Sequence, residues 1–278
     1  MTDTISRSIE RTGVWADPQG APFAFAGDWH GNTAWAVEII NALAEQGVRV
    51  VVHCGDFGVW PGERGAGYLR GVQAALAEHD MVLGFVDGNH EDHSQLSALE
   101  RANGVGWLAD RVAHLGRGAR WEWAGVRFGA LGGAVSVDKR MRAEGRNWWP
   151  GEAATEADVR RLADGGPVDV LVCHDRPAGA PLPFLAWVSK MWPEDVADEA
   201  AAHRDLLQTA VDATTPRLIV HGHYHNHRDH SHDRVVVEMG DRRVGVILCD
   251  RDGTSLARNT WTATTAQLSA LVARPAAG

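Results

Sequence analysis

Cysteine is scarce in this chain, with three residues (Cys54, Cys173 and Cys249) among 278. Each lies in or at the end of an apolar run. An odd number of such thiols argues against a disulfide framework and fits a reducing compartment. All three read as small core residues rather than nucleophiles. Long apolar runs are missing too, since none nears the roughly 18 residues needed to span a bilayer. The segment Met1–Arg11 is polar and lacks the apolar centre of a secretory signal. A soluble, cytoplasmic protein with no membrane partner is therefore expected. A basic excess is also lacking: 27 Lys and Arg face 36 Asp and Glu, a net charge of −9. That opposes a tight, sequence-independent grip on polymeric nucleic acid. A small anionic substrate stays allowed, because bound cations can invert the local field.

What is present is a 45% hydrophobic fraction and 12 tryptophans, the composition of a chain that buries a large core. Residues 1–20 read as a mobile lead-in. Pro22–Ala26 is an apolar strand, and a helix follows from Thr33, taken as its N-cap, to Gly47. Val48–His53 is a β-branched strand; a Pro/Gly-rich loop (Pro61–Gly67), a helix (Tyr68–Glu78) and a strand (Met81–Val86) come next. Strand, polar turn and helix in succession imply right-handed crossovers and a largely parallel sheet, with ligands beyond the carboxyl ends of its strands. Trp107–Leu115, Ala119–Trp123 and Val126–Leu131 read as short antiparallel strands. Thr155–Ala163 is helical, and Val168–Cys173 is another buried strand. The Pro-rich stretch Pro177–Pro193 and the helix Glu194–Ala213 form a lid, an oligomer contact or a plain surface insertion. A strand at Leu218–Val220, a hairpin (Arg234–Val237 and Arg243–Cys249, with Asp241 at its turn) and a helix at Thr264–Ala273 complete the pattern. No boundary interrupts it, so residues 1–278 are expected to form one domain with its core at about 22–250.

The chemistry sits where apolar strands end: Asp28 and His30, Asp56, Asn89 and His90, His174, then His223 and His225. On extended backbone, residues two apart point the same way, so His223 and His225 can reach one point. Carboxylates, an amide and imidazoles without thiolate suit manganese, iron or zinc better than calcium or a structural zinc knot. So many donors exceed one tetrahedral site but suit two adjacent ions sharing a carboxylate. Any one of them alone reads as a cap or a solvated loop residue. Five such blocks, each directly after a strand, do not.

In order and spacing, Gly27-Asp28-Trp29-His30-Gly31, Gly55-Asp56, Gly88-Asn89-His90-Glu91, His174 and Gly222-His223-Tyr224-His225 resemble the five blocks of the calcineurin-like metallophosphoesterase superfamily. The resemblance covers roughly residues 22–250. It implies an α/β fold, a four-layer sandwich of two mixed β-sheets flanked by helices, around a dinuclear metal centre. By that resemblance Asp28, His30 and His225 hold one ion, Asn89, His174 and His223 hold the other, and Asp56 bridges them. It implies two divalent metal ions, manganese first, with iron, zinc or nickel also accepted. The implied activity is metal-dependent hydrolysis of a phosphoric ester by in-line attack of a bridging hydroxide, with Asp56, Asn89 and His90 as catalytic residues. His90 would stand beside the ions without ligating them. It would protonate or hydrogen-bond the leaving oxygen, with Glu91 or Asp92 as its orienting partner.

The protein serine/threonine phosphatases of that superfamily carry Asp-Arg-Gly after the bridging aspartate and an Arg before Gly-Asn-His. Here those places hold Phe57-Gly58-Val59-Trp60 and Asp87. Loss of both arginines speaks against phosphoprotein monoesters, and a negative Asp87 would repel a dianion more than a singly charged diester. Gly132–Lys139 together with Trp148-Trp149-Pro150 resembles a subgroup from actinobacteria and their phages, some of whose members hydrolyse 2′,3′-cyclic nucleotides. The expected function is a phosphodiesterase acting on small nucleotides. Lys139, Arg140, Arg142 or Arg146 would contact the substrate, and Trp148 or Trp149 would stack on a base. The plain reading is that these basic residues pair with acids and the tryptophans are core. His53 and His221 read as core histidines, and His227, His230 and His232 as surface. A phosphomonoesterase or a nuclease on the same centre is the alternative. From another class comes a catalytically silent metal-binding scaffold, which would show gaps among the ligands, and the sequence has none.

Overall fold

Strand β1 (Phe23–Ala26) leads into helix α1 (Thr33–Glu45), strand β2 (Val50–His53), helix α2 (Gly62–Glu78), strand β3 (Val82–Phe85) and the short helix α3 (His93–Ser97). Five strands follow: β4 (Arg101–Ala102), β5 (Val105–Ala109), β6 (Val112–Leu115), β7 (Arg120–Trp123) and β8 (Val126–Leu131). Then come α4 (Glu156–Ala163), β9 (Val170–Cys173), α5 (Glu194–Thr214), β10 (Leu218–His221), β11 (Val235–Met239), β12 (Arg242–Val246), β13 (Thr260–Ala263) and α6 (Thr265–Val272). This computed structural model describes residues 15–180, 191–224, 235–239, 242–246 and 260–273.

The strands form two mixed sheets, one ordered β13-β1-β2-β3-β6-β5-β4 and the other β11-β12-β10-β9-β8-β7. Between them lies a core to which both contribute: Phe23, Phe25, Val50 and Val52 from the first, Trp121, Trp123, Phe128 and Val170 from the second. Alternation along each strand sends the other set outward, as expected for side chains of period two. Ala24, Ala26 and Val51 therefore meet Ile39, Ile40 and Leu43 of α1 and Val72 and Leu76 of α2. On the far face, Leu171 and Ile219 meet Leu162 of α4 and Leu207 and Val211 of α5. The layers run helix, sheet, sheet, helix, as the resemblance implies. No described helix is long and apolar enough to cross a membrane.

Four local expectations change. The lead-in is anchored at its end, because Trp15 is buried with its ring 5.9 Å from those of Trp121 and Trp123. The N-cap of α1 is Asn32, whose side chain accepts from the Trp35 amide, not Thr33. Most of Pro61–Gly67 is the first part of α2: a Cβ at Gly65 would lie 1.8 Å from the Trp60 carbonyl oxygen, so glycine there lets the chain turn tightly into the helix. The middle strands are not all antiparallel. The β5–β6 and β7–β8 pairs are, but β6 runs parallel to β3 and β8 parallel to β9.

Candidate metal centre

The carboxyl ends of β1, β2 and β3 in one sheet and of β9 and β10 in the other meet at one edge of the sandwich. Asp28, Asp56, Asn89 and His174 are all buried there. The loops are wound tightly. Asp28, His30, Asp56 and His223 all adopt positive φ, between 47° and 72°. Non-glycine residues persist in that region only where the surroundings hold them. The holding bonds run between neighbouring strand ends: Asp28 N donates to the Gly55 carbonyl (3.0 Å), His30 N to that of Asp56 (2.8 Å). Glycine before three of the blocks has a matching reason. A Cβ at Gly88 would fall 2.2 Å from Asp56 Oδ1, at Gly55 2.3 Å from His174 Nδ1, and at Gly222 2.5 Å from Asp28 Oδ2.

Asp56 is the hub. Its Oδ2 lies 3.4 Å from His174 Nε2, 3.7 Å from His30 Nε2 and 3.9 Å from His90 Nε2. Its Oδ1 accepts from the His90 backbone N–H at 2.9 Å. Two donor groups share it, His30–Asp56–His90 and Asp56–His174–His223, with the donor atoms of each within 4.8 Å of one another. Asn89 joins the second through its Oδ1, 3.2 Å from His174 Nε2, while its Nδ2 donates to Ser136 Oγ (2.9 Å). Asp28 stands at the edge of these groups, its carboxylate accepting from the His223 backbone N–H at 3.0 Å. His225 lies outside the described residues, as do His227, His230 and His232.

The donors fit a cation. His174 Nδ1 faces the Cys54 carbonyl at 2.8 Å, which can only accept, so Nδ1 carries a hydrogen. Its Nε2 then confronts two oxygens, Asp56 Oδ2 and Asn89 Oδ1. Burial alone would lower the His174 pKa, yet Asp56 and then Asp28 push it up to about 10. The pocket demands positive charge at this spot, which a proton supplies here and a metal ion would supply in its place. Asp56 is held well below the usual carboxylate range, its burial outweighed by His174, His90 and His30.

His90 is partnered by neither Glu91 nor Asp92. Buried Glu91 accepts from the backbone N–H groups of Gly88 (2.6 Å) and Gly58 (3.1 Å), tying the second block to the third. Burial, and next Asp56, push its pKa up to about 8. Asp92 caps α3 through the Ser94 and Gln95 amides. The partner of His90 is Arg142, whose Nη1 lies 2.7 Å from Nδ1 and Nη2 3.2 Å from Nε2. Asp138 grips the same guanidinium at 2.6 and 2.8 Å. Burial and the Arg142 charge lower the His90 pKa against the opposing pull of Asp56, so the ring is neutral. Of the four basic candidates, Lys139 and Arg140 pair instead with Glu199 and Asp195 of α5. Trp149 is buried, as the plain reading had it.

Asp87 does not face the centre as a bare charge. Arg117 binds it through Nε (2.9 Å) and Nη2 (2.6 Å), and His114 Nε2 lies 3.0 Å away. Repulsion of a dianion by Asp87 therefore drops out. One network had no counterpart in the sequence reading. Buried Asp175 accepts from Tyr224 Oη (2.5 Å), His203 Nδ1 (2.9 Å) and the Arg176 amide (2.8 Å). His203 Nε2 in turn accepts from the Ala154 amide at 3.2 Å, which fixes the tautomer. A lone histidine in the alanine-rich α5 was the one signal available.

A model of the family described as calcineurin-like phosphoesterase matches residues 21–227. The chain belongs to this family. Among solved structures it is similar to a dimetal phosphatase from Danio rerio, at 15% identity and a TM-score of 0.52 over 89% of this chain and 93% of that one. It is also similar to a protein from Thermus thermophilus, at 11% identity and a TM-score of 0.48 over 88% of this chain and 98% of that one. At 15% identity the likeness to the Danio rerio phosphatase concerns the fold. A search of curated proteins finds no significant match. Calcineurin-like phosphoesterases bind two divalent metal ions and hydrolyse phosphate esters, and the two donor groups sharing Asp56 suit that chemistry.

Proposed function

We propose that this calcineurin-like phosphoesterase is a two-metal phosphodiesterase acting on small, nucleotide-like esters. Asp28, His30 and His225 would hold one ion, Asn89, His174 and His223 the other, with Asp56 common to both. The observation that carries the reading is the convergence of three imidazole nitrogens within 3.9 Å of one carboxylate oxygen, Asp56 Oδ2. When bound there, two divalent ions, manganese first, would supply Lewis-acid charge to the phosphoryl oxygens and lower the pKa of a bound water.

The chain's own residues do the rest. Asp56 stays anionic and is fixed through its second oxygen by the His90 amide. The Ser136 hydroxyl, itself donating to Glu152 Oε2, turns the Asn89 amide so that its oxygen faces His174. Neutral His90 offers a ring N–H as hydrogen-bond donor to the leaving oxygen, and Arg142 beside it offers guanidinium N–H groups to the phosphoryl group. Because arginine only donates, the nearer ring nitrogen, Nδ1, accepts from Arg142 and Nε2 keeps the hydrogen, which favours His90 as a neighbour of the ions rather than a ligand. The diester preference is supported by Asp138: it balances the Arg142 charge, so the pair adds no net cation and suits a singly charged phosphate better than a dianion.

The test is turnover of bis-p-nitrophenyl phosphate against p-nitrophenyl phosphate by the manganese-loaded enzyme, followed by 2′,3′-cyclic, 3′,5′-cyclic and linear dinucleotides. Faster cleavage of the monoester would refute the diester reading. No cleavage of either would return the scaffold.

A further inference from the structure

Behind the third strand lies a cleft of about 600 Å³ that the proposed chemistry does not use, walled by α3, β4 and the Trp149–Gly151 turn. Three guanidinium groups reach its lining. Arg117 is committed to Asp87, and Arg161 to Asp158 at 2.8 Å. Arg101 is different. Its Nη2 donates to the Leu96 carbonyl (2.6 Å) and to His114 Nδ1 (2.9 Å), and no carboxylate among the described residues pairs with it. It is half-buried, and burial works against its charge, partly offset by the Asp87 carboxylate beyond His114, while Arg161 adds to the cost. A cation so placed is costly without a counter-ion.

The guanidinium is held in place before any ligand arrives. An arginine only donates, so His114 Nδ1 accepts, and the hydrogen must sit on Nε2, which donates to Asp87 Oδ1 at 3.0 Å. His93, also on the lining, turns its Nδ1 towards Asp87 Oδ2 at 3.9 Å, and its buried Nε2 bonds to nothing among the described residues. A guanidinium with no direct carboxylate partner and the edge of the mostly buried Trp149 on the lining suit an anion joined to a flat ring.

We propose that this cleft is a second binding site, separate from the metal centre, which takes a phosphate-bearing molecule of mononucleotide size with its phosphate on Arg101. With Nη2 committed to Leu96 and His114, the Nη1 and Nε groups of Arg101 are left to donate charge-assisted hydrogen bonds to the phosphate.

Calorimetric titration of the manganese-loaded protein with 5′-AMP tests this, with adenosine as the uncharged control. Wild type is expected to show two classes of AMP site. Asp56→Asn, which disables the metal centre, should keep the class that depends on Arg101. Arg101→Gln should weaken that class roughly 10- to 100-fold, the effect of losing charge-assisted hydrogen bonds. Ser97→Trp narrows the cleft while leaving Arg101 and His114 unsubstituted, and should abolish the same class even if Arg101→Gln folds poorly. The proposal is overturned if AMP binding vanishes entirely in Asp56→Asn, or if Ser97→Trp retains both classes. Equal binding of adenosine in the cleft would likewise remove the anion from the account.

Discussion

His174 Nε2 lies 3.4 Å from Asp56 Oδ2 and 3.2 Å from Asn89 Oδ1, a ring nitrogen facing two oxygens across the junction of two sheets. The contact places the negative pole of the site at Asp56. Replacing Asp56 by Asn removes the shared charge while keeping the shape. Loss of a group that merely orients a metal ligand costs about 10- to 100-fold, so a larger fall in kcat/KM is expected here, with manganese content measured by elemental analysis falling in parallel. Undiminished turnover by this variant would contradict the shared-carboxylate assignment.

Arg142 is expected to act on the phosphoryl group without holding metal. Arg142→Ala should lower kcat/KM for the diester by about 100-fold, the usual scale for deleting one preorganised donor, at unchanged metal content. Lys should rescue poorly, since it lacks the planar fork that meets His90 and Asp138 together. Loss of metal in Arg142→Ala would move the residue from chemistry to scaffolding.

Acid should weaken the fold partly through His53. Its ring is buried between Trp29 and Phe57, neither nitrogen has a partner among the described residues, and burial drives its pKa down to about 3. A histidine with a depressed folded-state value takes up its proton mainly on unfolding, so the unfolded state binds more protons between the two pKa values. Stability from this residue is complete above the ordinary value of about 6.5 and declines as pH falls towards 3. Urea denaturation of His53→Leu across that range should show a shallower acid limb than wild type; parallel limbs would remove His53 from the explanation.

The Asp175 network should matter for stability and for the last histidine block together. His203→Ala leaves an oxygen of a buried carboxylate and the Ala154 amide without their partner, a loss of roughly 1–3 kcal/mol per group. A lower urea midpoint is expected, accompanied by weaker manganese binding, because Tyr224 on the same carboxylate adjoins His223. Unchanged metal affinity in a destabilised variant would confine His203 to the core.

The five blocks were legible because each is a local event, an apolar strand ending in a polar side chain (after a glycine in all but the His174 block), and parallel strands bring such ends to one edge without further information. Long-range partners were not legible. Asp87 and Arg117 are 30 residues apart and meet only because β3 and β6 pair, so Asp87 read as a bare charge when it is a neutralised one. Arg142 stood among four basic residues of equal standing until Asp138 and His90 singled it out. The start of α2 was hidden by glycines at 62, 65 and 67, which count against a helix by propensity but are needed for the close pass over Trp60. Trp15 sat in a segment that looks like a tail, and nothing nearby announces that its ring belongs with Trp121 and Trp123.

The donor group Asp56–His174–His223 draws on both sheets, Asp56 from one and the two histidines from the other. An ion seated between them would therefore act as a rivet through the sandwich, and its affinity would be counted in the cohesion of the two sheets. Chelation would then loosen the whole architecture as well as silence the enzyme. The demetallated chain should part first along the seam where Asp28 meets the backbone of His223.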